Sequence, residues 1–203
     1  MIWVDSWVQM TTCLYYCTRH FPMIQIDKDF IEDWAKRYDE DNIGDDEKEY
    51  NLILNKVSDE ISDTGTISQD TLERIADWKS FHVKHKVKWD DFGLYQIAIK
   101  YALEVPDRLK LSLLCGLEGV DIPVASTILN FMYPDKFPII DYRVTQVLRE
   151  AAGIQLAKNM SYKMYYKYKA EIENIVKNTG YDIRTIDRAL FAYHKLNPEM
   201  WSE

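Results

Sequence analysis

The residues best placed to do chemistry lie between positions 107 and 148, DRLKLSLLCGLEGVDIPVASTILNFMYPDKFPIIDYRVTQVL. Within them, Leu117-Glu118-Gly119-Val120-Asp121 reads as a tight turn joining two helices. Exposed backbone N–H groups at such a turn, and at the helix start behind it, form an anion site suited to phosphate. Asp141 follows Gly119 by 22 residues and comes directly after the apolar pair Ile139-Ile140. A carboxylate in a dry setting can stabilise developing positive charge or activate water. Taken alone, an aspartate opening a helix is also an ordinary N-cap.

Helices must position these groups. Asp27 caps a segment whose Phe30, Ile31, Trp34 and Tyr38 share one face. Residues 45–62 form a second amphipathic segment, with Tyr50, Ile53, Leu54, Val57 and Ile61 on its stripe. A loop then ends in a cap at Ser68 or Asp70. Further helices are expected over 71–79, 90–103, 107–117, 123–132, 141–151, 160–178 and 183–196. Asp121 is the expected N-cap of the helix that starts at Ile122 or Pro123, with Pro123 in its first turn. Ala125 and Ser126 are small enough for two helices to approach closely. Strand-like alternation never persists, so the chain reads as all-α. Two helical lobes are expected: one of about residues 80–150 holding the hairpin, and one of about residues 1–79 with 151–203.

LEGVDIPVAS resembles the hairpin of the helix-hairpin-helix motif, L-P-G-V-G-x-x-T/S-A. The Phe137-Pro138-Ile139-Ile140-Asp141-Tyr142-Arg143-Val144 segment resembles the stretch that follows it in the HhH-GPD superfamily of base-excision DNA glycosylases. There an apolar pair and an essential aspartate open the next helix about twenty residues after the hairpin. The likeness is clear over 107–150, weaker over 70–105 and 180–196, and absent from the first 65 residues. It implies a helix-hairpin-helix glycosylase-like fold and double-stranded DNA as partner. It also implies hydrolysis of an N-glycosidic bond on a flipped base, with Asp141 as the catalytic carboxylate. Gly119, Val120, Asp121, Ile122 and Ser126 would hold the DNA backbone, joined by Trp78, Lys79 and Arg143. Three departures shape the expectation. Pro123 stands where bifunctional members carry a Schiff-base lysine, so cleavage without lyase action is implied. Asp121 replaces the second hairpin glycine and repels phosphate unless capping consumes it. The four-cysteine iron–sulfur loop is missing, so neither metal nor cofactor is implied. A catalytically inactive module that binds DNA or a protein is the alternative.

Other groups read more plainly. Trp78-Lys79 pairs a ring with a cation, suited to base and phosphate or to a core tryptophan beside a surface lysine. Tyr162, Tyr165, Tyr166 and Lys169 share a helix side and look like a buried seam with snorkelling lysines. Residues 184–193 look like scaffold. Cys13, Cys17 and Cys115 include no CxxC pair, which argues against a disulfide framework or Cys-ligated metal and for a reducing, cytoplasmic setting.

The 203 residues carry a net charge of −8. That balance argues against nucleic acid until its distribution is considered. Residues 27–73 hold 16 acids and 5 bases, whereas residues 74–203 hold 16 acids and 19 bases. The run KSFHVKHKVK at 79–88 contains no acid and is either a solvated edge or a phosphate-facing patch. The acidic 27–73 segment lies outside the resemblance and could serve a protein partner. No apolar run approaches the ~18 residues of a membrane span. The apolar amino terminus lacks the basic start and cleavage site of a signal peptide.

Overall fold

Helical periodicity dominates the sequence, and it dominates the structure. The computed structural model describes residues 23–41, 43, 47–79, 87 and 91–201, among which there is no strand. Cys13, Cys17 and the basic run beyond Lys79 fall outside these residues, apart from Val87. Helix α1 spans Lys28–Glu40 and is capped by Asp27, whose Oδ1 accepts the Phe30 N–H at 3.0 Å. Its Ile31, Ala35 and Tyr38 are buried on one face. Helix α2 spans Glu47–Thr64 and buries Tyr50, Ile53 and Val57. Helix α3, Gln69–Lys79, starts at Ser68, whose Oγ accepts the Thr71 N–H. Helix α4, Phe92–Glu104, stops before Pro106, and α5, Asp107–Leu114, follows at once. Helix α6 is Ile122–Met132, and α7 is the short Tyr142–Gln146.

Periodicity predicts one helix over 141–151. The structure instead widens after Gln146 into a π-turn at Val147–Ala151, where the Ala152 N–H reaches the Val147 carbonyl. Helix α8, Tyr162–Thr179, ends at Gly180, whose φ of 79° is the left-handed conformation that closes helices. Helix α9, Ile183–Leu196, is followed by a 3-10 turn at Pro198–Met200. Helix α1 lies along α9, which also packs on α7 and α8, while α6 packs on α2, α3 and α5. The buried apolar side chains form one contiguous cluster from Ile31 to Tyr193. Among the described residues, no helix is long and apolar enough to cross a membrane.

Residues 137–140 form an extended strap between α6 and α7, and all four are buried. An extended backbone in a core has no partner strand, so side chains must satisfy its polar groups. Asn130 Nδ2 donates to the Phe137 carbonyl at 2.9 Å, Tyr165 Oη to that of Pro138 at 3.2 Å, and Tyr168 Oη to that of Ile139 at 2.8 Å. The Ile140 N–H donates to Ser126 Oγ at 3.1 Å. Asn130 is itself fixed by the Tyr50 hydroxyl, which donates to Oδ1 at 2.9 Å. The α8 seam is therefore centred on Tyr165 and Tyr168, both fully buried, with Tyr162 45% exposed at its edge.

Ser126→Ala leaves the Ile140 N–H buried without an acceptor. The expected cost is about 1–3 kcal/mol of stability. Urea denaturation should show a lower midpoint with an unchanged slope.

Candidate active site

The turn before α6 is built as its residue types require. Cys115 ends α5, and the Val120 N–H closes back on the Leu117 carbonyl at 3.1 Å. Gly119 has φ of 80°, a conformation that side-chain-bearing residues rarely adopt. The Tyr95 hydroxyl holds the turn by donating to the Glu118 carbonyl at 2.6 Å. Asp121 Oδ1 accepts the Val124 N–H at 3.1 Å, so its carboxylate is engaged in capping α6. One turn into α6, Ser126 bonds Ile140, the residue before Asp141. The hairpin helix and the candidate carboxylate are thus tied by one hydrogen bond through the strap.

Asp141 caps α7 with only half of its carboxylate. Oδ1 accepts the Arg143 N–H at 2.8 Å. Oδ2 accepts no hydrogen bond from any described residue; Lys79 Nζ stands 3.6 Å from it, and Arg143 Nη1 is 3.7 Å from Oδ1. Both distances exceed the usual N–H···O range, so these are ion pairs of looser geometry. Asp141, Lys79, Arg143, Trp78, Arg184 and Asp187 all line one cavity of about 160 Å³. That is the scale of an engineered apolar cavity of about 150 Å³ that admits benzene. It has room for one flat ring rather than for a whole nucleotide.

The cavity wall is charged and closely packed. The Arg184 guanidinium lies 4.6 Å from the Tyr50 ring centroid and 5.3 Å from that of Trp78. It bonds Glu47 and Asp187, each at 2.9 Å. Burial pushes the Asp187 carboxyl up to about 6, Arg184 and Lys79 pull it down, and Asp141 adds to the rise. Trp78 Nε1 is buried with no acceptor among the described residues.

The structure brings Asp141, Trp78, Lys79 and Arg143 together. Around the turn, Gly119 and Ile122 are half-buried and Asp121 is exposed. Two DNA-contact expectations are corrected. Ser126 is fully buried, donating to the Pro123 carbonyl and accepting from Ile140, and so cannot reach a phosphate. Val120 is buried and its N–H is used inside the turn. Asp187 and Arg184, read from sequence as scaffold, are cavity residues. The available signal was three charges, Arg184, Asp187 and Arg188, on one side of a helix whose other side is apolar; nothing local marks that side as buried. Among the described residues, no three His, Cys, Asp or Glu side chains gather as a metal site. Comparisons with protein-family models, curated proteins and solved structures find no match to this chain.

The Asp187 carboxyl sits at about 6 when folded, against about 3.9 in an unfolded chain. Its contribution to stability is therefore full below about pH 4 and is lost as pH rises through about 6. Asp187→Asn has no such loss. From about pH 4 to 7 its stability should rise relative to wild type by on the order of 2 kcal/mol, read by urea denaturation. A difference that does not change with pH contradicts the buried carboxyl.

Proposed function

We propose that the chain is a monofunctional DNA glycosylase that hydrolyses the N-glycosidic bond of a base drawn out of duplex DNA. One observation carries the reading. An aspartate whose Oδ2 accepts no hydrogen bond from any described residue lines a ring-sized cavity, and one hydrogen bond links its strap to a helix-turn-helix hairpin. The departing base takes the electron pair of the bond to C1′, leaving the sugar with oxocarbenium character. Asp141 stabilises that cation. Water adds to C1′, one of its protons goes to the base, and the products are a free base and an abasic site. Two unit charges about 4 Å apart at an effective dielectric of about 20 interact by about 4 kcal/mol. That is about a thousandfold in rate.

The cavity's other residues have matching roles. Trp78 offers its ring to the base, and Lys79 and Arg143 offer positive charge to the flanking phosphates. Gly119, Asp121 and Ile122 of the turn supply backbone amides. Asp121, being engaged as a cap, repels phosphate less than an unbonded carboxylate would. Pro123 has no amine to form a Schiff base, which supports hydrolysis over lyase chemistry.

A second reading, a non-catalytic module for a protein partner, has one observation in its favour. On α4, Leu94, Ile97 and Tyr101 are each more than half exposed and fall on one stripe.

A panel of duplexes, each with one damaged or mismatched base, separates the two. Wild type should release a base from at least one duplex, with strand breaks appearing only after alkali. Asp141→Asn should slow release about a thousandfold while leaving duplex affinity in place. Wild-type affinity should fall steeply with salt. No release from any duplex, or release that survives Asp141→Asn, refutes the catalytic reading. Strand scission without alkali contradicts the hydrolytic route and implicates an amine, with Lys79 the candidate 3.6 Å from Asp141.

A further inference from the structure

Arg143 lines two hollows. One is the Asp141 cavity; the other is an open cleft of about 320 Å³ lined by Tyr142, Arg143, His194, Lys195, Pro198 and Trp201. The cleft is formed where α7 and the end of α9 meet the C-terminal 3-10 turn. Its floor is held rigidly. Trp201 stacks on His194 with ring centroids 4.7 Å apart and planes 4° apart, and its Nε1 donates to the His194 carbonyl at 2.8 Å. His194 Nε2 is 3.2 Å from Gln146 Oε1, and Tyr142 meets the imidazole edge-on at 6.0 Å.

Among the described residues, Arg143 and Lys195 line the cleft and no carboxylate does, while Asp141 Oδ1 stands 3.7 Å from Arg143 Nη1 on the side of the other cavity. Burial and the nearby Arg143 push the His194 imidazole down to about 4, so the buried ring is neutral at physiological pH and backs the Trp201 ring. Tyr142 carries the Arg143 guanidinium 4.5 Å from its centroid, yet remains 57% exposed. In a chain of net charge −8, a hollow whose described lining holds two cations, exposed aromatic surface and no acid is a local exception. Its chemical complement is a flat ring joined to an anion.

We propose that this cleft binds a single nucleotide of the DNA strand, its base against Tyr142 and Trp201 and its phosphate between Arg143 and Lys195. Because Arg143 borders both hollows, the nucleotide held here is the neighbour of the one whose base enters the Asp141 cavity. That adjacency rests on the proposed function above; the affinity of the cleft does not. Ring stacking is tolerant of sequence, so the cleft grips a strand without choosing its bases. The Asp141 cavity is left to choose the target.

The probe is a short fluorescein-labelled single-stranded oligothymidylate, its binding followed by anisotropy. Wild type should bind at about 50 mM salt and weaken steeply towards about 200 mM. Tyr142→Ala should weaken binding about fivefold or more. Lys195→Gln should flatten the slope of log affinity against log salt by about 0.7. Both side chains are exposed, so neither change disturbs the core. Lys100→Gln, on the exposed face of α4, should match wild type. Failure of wild type to bind, or unchanged binding by both cleft variants, overturns the proposal. The outcomes separate from those of the duplex panel. If no duplex loses a base but both cleft variants lose the oligonucleotide, the cleft stands and the Asp141 reading falls. If bases are released but cleft variants bind as wild type does, the cleft falls and the Asp141 reading stands.

Discussion

The arrangement depends on one constraint: four buried residues in extended conformation must have their backbone polar groups satisfied without a neighbouring strand. Asn130 and Ser126 from α6, with Tyr165 and Tyr168 from α8, satisfy four of these groups, and the Phe137 N–H reaches the Tyr133 carbonyl. Two bonds come from each helix, so the strap is held between the two helices flanking it. Asp141 comes directly after it. An apolar core alone would hold these residues by shape, with no fixed register. Directional hydrogen bonds set where the strap ends, and therefore where the carboxylate stands.

A second set of interactions closes the cavity from the α9 side. Arg184 is bordered by Tyr38, Tyr50 and Trp78, and two carboxylates balance its buried charge. One of these, Glu47, comes from the acidic stretch of the sequence. Asp39 from the same stretch pairs with Arg188, and Glu49 pairs with Arg74. Part of the acidity of residues 27–73 is thus matched to arginines on α3 and α9. An excess over those pairs remains on the surface, where Asp59 and Asp63 are exposed. Burial explains why Asp187 holds its proton more tightly than an exposed aspartate does, despite the adjacent guanidinium.

Much of the local architecture was legible in the residues. Asp27, Ser68, Asp121 and Asp141 each cap the helix that their position implied. Gly119 takes the left-handed conformation its turn requires, and α9 runs over 183–196 as its periodicity indicated. These features are local, set by neighbours within a turn or two. What stayed hidden was tertiary. Ser126 looked like a small residue at a phosphate site, and only the fold shows that its hydroxyl accepts from Ile140. Arg184 and Asp187 belonged to a segment that read as scaffold, but α1 and α2 cover their side of α9. The π-turn after Gln146 leaves no mark in a period that 3.6 residues per turn fits equally well.

The central claim is that the open oxygen of Asp141 faces a sugar that becomes cationic. It is tested most directly by comparing two duplexes, one with a cationic pyrrolidine in place of a single deoxyribose and one with a neutral tetrahydrofuran there. A site complementary to the cation binds the charged analogue at least about a hundredfold more tightly. Asp141→Asn should abolish that preference while leaving affinity for the neutral duplex unchanged. Equal affinity of wild type for the two duplexes, or a preference that persists in Asp141→Asn, would contradict the account.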